Sequence, residues 1–254
     1  MTNENIKDFL DFKVNQYYKK VFIEQDPLQI PHQYTLLQDI EISAFLTSIL
    51  SWGNRKQIIK SAQKLMNSMG QSPYDFVKNY SPKWKIEFTY RTFNSTDLDF
   101  FIRSLQHIYS KGNSLEWAFQ KCSPNENCFD RIAHFRRQFL SIPHLIRSEK
   151  HLSNPEKNSA CKRLYMYLRW MVRESKMGID FGLWKTISPS ELAIPLDVHT
   201  GNTARALGLI TRKQNDRQAL EELMKQLIQM NPTDPTIYDF ALFGLGIFEK
   251  YGSI

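Results

Sequence analysis

Residues 42–66, ISAFLTSILSWGNRKQIIKSAQKLM, read as two consecutive helices joined by a single turn. Ile42, Phe45, Leu46, Ile49 and Leu50 recur at three- and four-residue steps, so they share one face of a helix running from about Tyr34 to Trp52. Gly53 then supplies a residue able to adopt the left-handed conformation just past a helix end. Asn54 can cap the open amides of a second helix over 55–69, which closes before Gly70. The first of the two is too apolar for a surface helix and is expected at the centre of the fold.

The helical period continues in both directions. Upstream, Ile6, Phe9, Leu10, Phe12, Val14, Tyr17, Tyr18 and Val21 form a stripe that predicts a helix over 4–23. Downstream, Ser72-Pro73, Ser81-Pro82 and Asn94 to Thr96 cut the chain into short pieces. Further helices are expected over 97–110, 114–120, 127–142, 162–174, 198–207, 214–230 and 235–251. Residues 153–161 form a polar connector, and 188–196 a Pro-punctuated approach to the next helix. There is no strand–helix alternation and no internal repeat. Only 10 Gly and 11 Pro occur in 254 residues, few for the tight turns of a sandwich or barrel. The fold class expected is all-α. The organisation expected is a single helical unit over 1–254, divisible into two lobes: about 35–160 with an insertion, and about 161–254 joined by the N-terminal helix.

Hydrophobic residues at 42% and charged residues at 23% suit a folded globular chain and exclude a disordered one. No apolar run approaches the roughly 20 residues that span a bilayer, and MTNENIKDFL lacks the pattern of a secretory signal, so a cytoplasmic protein with no membrane partner is expected. Cys122, Cys128 and Cys161 include no C-x-x-C spacing, so neither a disulfide framework, a structural metal nor an iron–sulfur cluster is expected. Cys122 and Cys128 sit at the two ends of a short polar loop. The 33 Lys and Arg outnumber the 26 Asp and Glu, a net charge of +7 that favours a polyanionic partner without selecting one.

One segment departs from generic helix sequence. Residues 193–200, AIPLDVHT, bring an apolar run to one carboxylate, Asp197, after which ARALGL (204–209) ends a helix at Gly208. Asp is a favoured N-cap, worth about 1 kcal/mol, and a capping role for Asp197 stands on its own. Asp197 and His199, two apart, do not share a helix face and make a poor metal pair. Trp52, Trp170 and Trp184 are candidates to stack on a base, and equally candidates for the core. Arg55, Lys56 and Lys60, the group Arg131, Arg136 and Arg137 around His134, and Arg205 are candidate phosphate contacts or solvated charges.

PLDVHTGNTARALGL (195–209) resembles the aspartate segment of the helix-hairpin-helix (HhH-GPD) DNA glycosylases. Residues 42–66 resemble that family's early helix pair. SACKRLYMYLRWM (159–171) resembles the segment in which a Schiff-base lysine opens an apolar helix. Asp197 follows that lysine by 197 − 162 = 35 residues, a gap similar to the archaeal 8-oxoguanine glycosylase branch, and YDFALFGLG (238–246) resembles the same branch. The whole chain is similar to an uncharacterised bacterial family affiliated with these enzymes. The resemblance implies a glycosylase-like fold of two helical lobes with a cleft between them. It implies Lys162 and Asp197 as catalytic residues, and Asp239, Phe243 and Trp52 at the base pocket. Asn54, Arg55, Lys56, Arg163 and Arg205 fall to DNA binding, on a monomer that needs no cofactor. The glycine-rich hairpin before the lysine is absent here, where SNPEKNSAC stands instead, and Gly53 stands where the family has Gln.

These residue types suit the chemistry. A base must be extruded from the duplex before its glycosidic bond is reached. The departing base leaves oxocarbenium character at C1′, which a fixed carboxylate stabilises. An amine attacks C1′ only when neutral, a state favoured by partial burial, a neighbouring Arg163 and the positive end of a helix. The function expected is a glycosylase and AP lyase of base-excision repair acting on a damaged purine, 8-oxoguanine first. A non-catalytic nucleic-acid-binding protein of the same fold is the alternative, and an all-α protein with a protein partner is a third.

Overall fold

The computed structural model describes residues 3–84, 86–121, 127–174 and 176–252, so Cys122 lies outside the described residues. In chain order the α-helices are α1 (Asn3–Tyr17), α2 (Leu37–Leu50), α3 (Arg55–Met69), α4 (Pro73–Asn79) and α5 (Ser95–Tyr109). Then follow α6 (Cys128–Phe139), α7 (Lys162–Val172), α8 (Val198–Ala206), α9 (Arg217–Met230) and α10 (Tyr238–Phe248). Short 3-10 turns link them. The described β-structure is a hairpin of β1 (Thr89–Tyr90) and β2 (Phe93–Asn94), antiparallel with Tyr90 opposite Phe93, and one isolated bridge between Glu174 and Phe181. The protein is therefore all-α in class. Among the described residues no helix is long and apolar enough to cross a membrane. The chain divides into two units, Gln25–Asn154 and the pair of segments Met1–Glu24 and Pro155–Ile254.

In the Gln25–Asn154 unit α2 is buried from Asp39 to Leu50. Phe45 on this helix meets Phe101, Phe135 and Phe139 at ring separations of 6.2, 5.6 and 5.4 Å, which builds an aromatic core shared by α2, α5 and α6. Two carboxylates sit inside it because neighbouring elements supply their hydrogen bonds. Asp39 accepts from the Tyr74 amide at 2.8 Å and the Ser72 hydroxyl at 2.9 Å, fixing the start of α4. Glu41 accepts from Tyr109 Oη at 2.8 Å, the Leu115 amide at 3.0 Å and the Ser114 hydroxyl. Asn94 and Asn127 open α5 and α6 with capping boxes, each closed by an aspartate three residues on.

In the other unit α10 is the apolar centre, and two glycines let its neighbours approach. A Cβ on Gly244 would sit 2.3 Å from the Tyr17 ring of α1, and one on Gly246 would sit 3.0 Å from atoms of His199 and Thr203 on α8. Helix α1 ends at Tyr17, short of the expected residue 23, and the chain goes on as a 3-10 turn over Lys20–Gln25, with Tyr18 just past the helix end. The Tyr18 ring lies 4.8 Å from that of Phe240 and beneath the Arg173 guanidinium. Beside it, Arg169 and Arg173 of α7 meet three acids: Arg169 pairs with Asp239 and Asp180, and Arg173 with Asp234 at 2.8 Å and Asp180 at 3.1 Å.

Candidate functional site

The segment Leu192–Leu196 is buried throughout and delivers Asp197, half-buried, to the start of α8. Asp197 is extended (φ −102°, ψ −174°), and its Oδ1 accepts the Thr200 amide at 2.8 Å, so the capping bond is made. Among the described residues its Oδ2 has no partner. The Thr200 hydroxyl, fully buried behind it, has none either. Val198 is 65% exposed, and His199 is exposed with its ring edge-on to Phe243 at 6.5 Å. At the far end, the Leu209 amide donates to Ala204 O and the Gly208 amide to Arg205 O, with Gly208 at φ +73°. This is a Schellman stop, placed by the glycine that the sequence offered.

Lys162 opens α7 and is half-buried. Among the described residues its ammonium pairs with no carboxylate. The residue before it, Cys161, is left-handed (φ +47°), as is Asn158 (φ +58°), so the approach bends through two non-glycine residues where the glycosylase pattern has glycines. Asn158 tolerates that conformation better than most side chains. Arg163, next to Lys162, is also half-buried, and loss of hydration lowers its guanidinium to about 10, still charged at neutral pH.

One hydrogen-bonded chain connects these two approaches. Asn215 donates through Nδ2 to the main-chain oxygen of Asp197 at 2.8 Å, and its Oδ1 accepts from Arg205 Nη2 at 2.6 Å. Arg205 Nε donates to Arg212 O at 2.8 Å, while the Arg212 guanidinium grips Asp216. Asp216 accepts from Asn158 Nδ2 at 3.0 Å, and the Arg217 amide donates to Asn158 O at 3.1 Å. Asn215 and Asp216, adjacent in the chain, thus hold the loops leading to Asp197 and to Lys162. Gly201 leaves room for the first of them: a Cβ there would fall 2.4 Å from Asn215 Oδ1.

The remaining expected residues take the following places. Asp239 is buried against Arg169 in the ion network. Phe243 is half-buried between Phe22 and His199. Arg205 holds the loop after α8, as above. Trp52, Asn54, Arg55 and Lys56 belong to the Gln25–Asn154 unit, whereas Lys162, Asp197, Asp239 and Phe243 belong to the other. Asn54 caps α3 through Gln57 N at 3.3 Å, and Lys56 and Lys60 are exposed. Trp52 carries the Arg91 guanidinium on its ring at 4.4 Å. Trp170 and Trp184 are core residues, fully buried. Arg131 is buried with Nη1 on Phe119 O, and Arg136 holds Glu149 at 2.8 Å, so neither is a solvated cation. Among the described residues no cluster of three or more His, Cys, Asp or Glu is placed to hold a metal ion.

Asn215, Asp216 and Asn158 went unmarked in the sequence, where Asn and Asp ahead of a helix signal only a cap. What they do depends on the 207–217 loop folding back along α8, which no local pattern reports.

The arrangement belongs to a helical protein with a lysine and a carboxylate on one hydrogen-bonded frame. Residues 26–248 match the family model described as "Protein of unknown function (DUF2400)", and the chain belongs to that family. No curated protein and no solved structure matches it.

Proposed function

We propose that the chain is a DNA glycosylase with AP lyase activity, built on the helix-hairpin-helix glycosylase plan and acting on a damaged purine, 8-oxoguanine first. The observation that carries this reading is uncommitted bonding capacity at two half-buried positions, Lys162 Nζ and Asp197 Oδ2. Their loops are fastened to adjacent residues, Asp216 and Asn215. By contrast Asp239 and Arg205 are committed to protein partners. Under the proposal the Lys162 amine bonds to C1′ as the C1′–N bond to the base breaks, and the base leaves with the proton the amine gives up. Asp197 faces the positive charge that develops at C1′, with Oδ1 held by the helix and Oδ2 directed to the sugar. Opening of the C1′–O4′ bond leaves an imine, and loss of a C2′ proton then expels the 3′ phosphate. Repair of DNA by base excision is the process this chemistry serves.

A second reading has its own observation, the capping bond from Thr200 to Asp197 Oδ1. It makes the chain a non-catalytic nucleic-acid-binding protein of the same fold. Borohydride trapping on duplexes carrying 8-oxoguanine, uracil, hypoxanthine or an abasic site separates the two. The first reading expects a covalent adduct with the wild type, none with Lys162→Gln, and base release slowed about a hundredfold or more by Asp197→Asn. Asn keeps the cap acceptor, so that variant folds. DNA binding without adduct, cleavage or base release rejects the enzyme and leaves the second reading.

A further inference from the structure

The β1–β2 hairpin turns through two residues, Arg91 and Thr92, and only Arg91 has positive φ, at +54°. That is the pattern of a turn whose first position is normally glycine. An arginine there carries backbone strain, and nothing in the turn itself requires its side chain. The side chain is instead held in one place. Its guanidinium lies 4.4 Å from the centre of the Trp52 ring, with Tyr90 standing edge-on to the same ring at 6.0 Å and donating its hydroxyl to Trp52 O at 2.6 Å. Gly53, at φ +106°, clears the space: a Cβ there would fall 2.3 Å from Arg91 Nη1. Arg91 is exposed, and among the described residues it pairs with no carboxylate.

The surroundings combine apolar side chains with two further cations at the start of α3. Arg147, paired with the buried Asp97 at 3.1 Å, donates to Thr92 O at 3.2 Å and brings with it Ile146, 83% exposed, and exposed Leu145. Arg55 and Lys56 begin α3 immediately after Gly53 and Asn54. A guanidinium plane fixed on an indole offers its outer face to a third planar group and its N–H edge to an anion. Of common partners, an unstacked nucleotide supplies both, a base to lie on the plane and a phosphate for the edge.

We infer that Arg91, seated on Trp52, is a stacking site for an unpaired nucleotide of a nucleic acid. The inference rests on the nucleic-acid reading above, though not on catalysis at Lys162. Trp52 then supports the contact through Arg91 and does not itself meet the base.

The test is fluorescence anisotropy of the full chain with three labelled DNAs: a duplex holding one unpaired nucleotide, the same duplex fully paired, and a single strand. Arg91→Gly suits the turn and is expected to melt close to the wild type. It should lose about tenfold in affinity for the duplex with the unpaired nucleotide and for the single strand, with a smaller change on the paired duplex. Arg91→Lys, which keeps the charge and lacks the plane, should behave as the glycine variant does. Undiminished binding by Arg91→Gly, full retention by Arg91→Lys, or a wild type that binds none of the three DNAs overturns the proposal. Binding through Arg91 without borohydride adduct rejects only the enzyme, and adduct with binding indifferent to Arg91 rejects only this site.

Discussion

Asn215 makes two hydrogen bonds with different consequences, one to the main chain of Asp197 and one to Arg205. Asn215→Ala leaves an acceptor and a guanidinium N–H without their partner, and the expected loss is about 1–3 kcal/mol in urea unfolding. If Asp197 acts on the substrate, base release should fall further than stability does. Asp216 is a second case. Its bond to the Arg212 guanidinium holds the carboxyl at about 2, below the ordinary 3.8. A carboxyl depressed on folding stabilises fully above its unfolded value, and the contribution is lost as pH falls through the folded value. Melting temperature should therefore drop between about pH 4 and pH 2 in the wild type, and Asp216→Asn should lack that component of the decline. At this scale the sequence was informative where a residue acts on its own helix, as Asp197 and Asn54 do in capping. It was silent where a side chain reaches a later loop: Arg205 reads as a free cation in the last turn of α8 until the loop returns to occupy it.

Among the elements, those bounded by a cap and a glycine were legible. Helix α3 runs from Arg55 to Met69 between Asn54 and Gly70, and α8 stops at Gly208, because each signal is local and each has one structural answer. The 3-10 turns and the β1–β2 hairpin were not, since four residues of strand carry no measurable period. Arg-Thr in the loop also replaces the glycine that would have announced it. Helix α10 makes a sharper demand. Its sequence, YDFALFGLGIF, is apolar beyond Tyr238 and Asp239, and Gly244 and Gly246 admit α1 and α8 to close range. Gly244→Ala should cost about 1–3 kcal/mol, measured by chemical unfolding, because the added methyl meets an aromatic ring that has little room to retreat. An alanine usually favours a helix, so a stabilised variant would mean that α1 lies farther from α10.

For the molecule as a whole, the excess of 33 basic over 26 acidic residues bears on partner more than on fold. If duplex DNA is the partner, neutralising even a few phosphates should lower affinity about tenfold or more as salt rises from about 50 to 200 mM. Equal affinity at both salts would point to a protein partner instead. Overall class was readable from period and composition. What escaped them was how distant segments join, because pairing across the chain leaves no mark in any window of ten or twenty residues.

That joining has a consequence for how the protein is made. Helix α1 leaves the ribosome well before the helix it packs against, α10, which lies more than two hundred residues further along the chain. At roughly 5–20 residues per second, the interval is on the order of 10–45 s. During that time the Gln25–Asn154 unit emerges whole and can close. Ile6, Leu10 and Val14, buried in the finished protein, must meanwhile wait in water. A chaperone that shelters apolar nascent segments would find its substrate there, in a helix made before its partner and seated only after it.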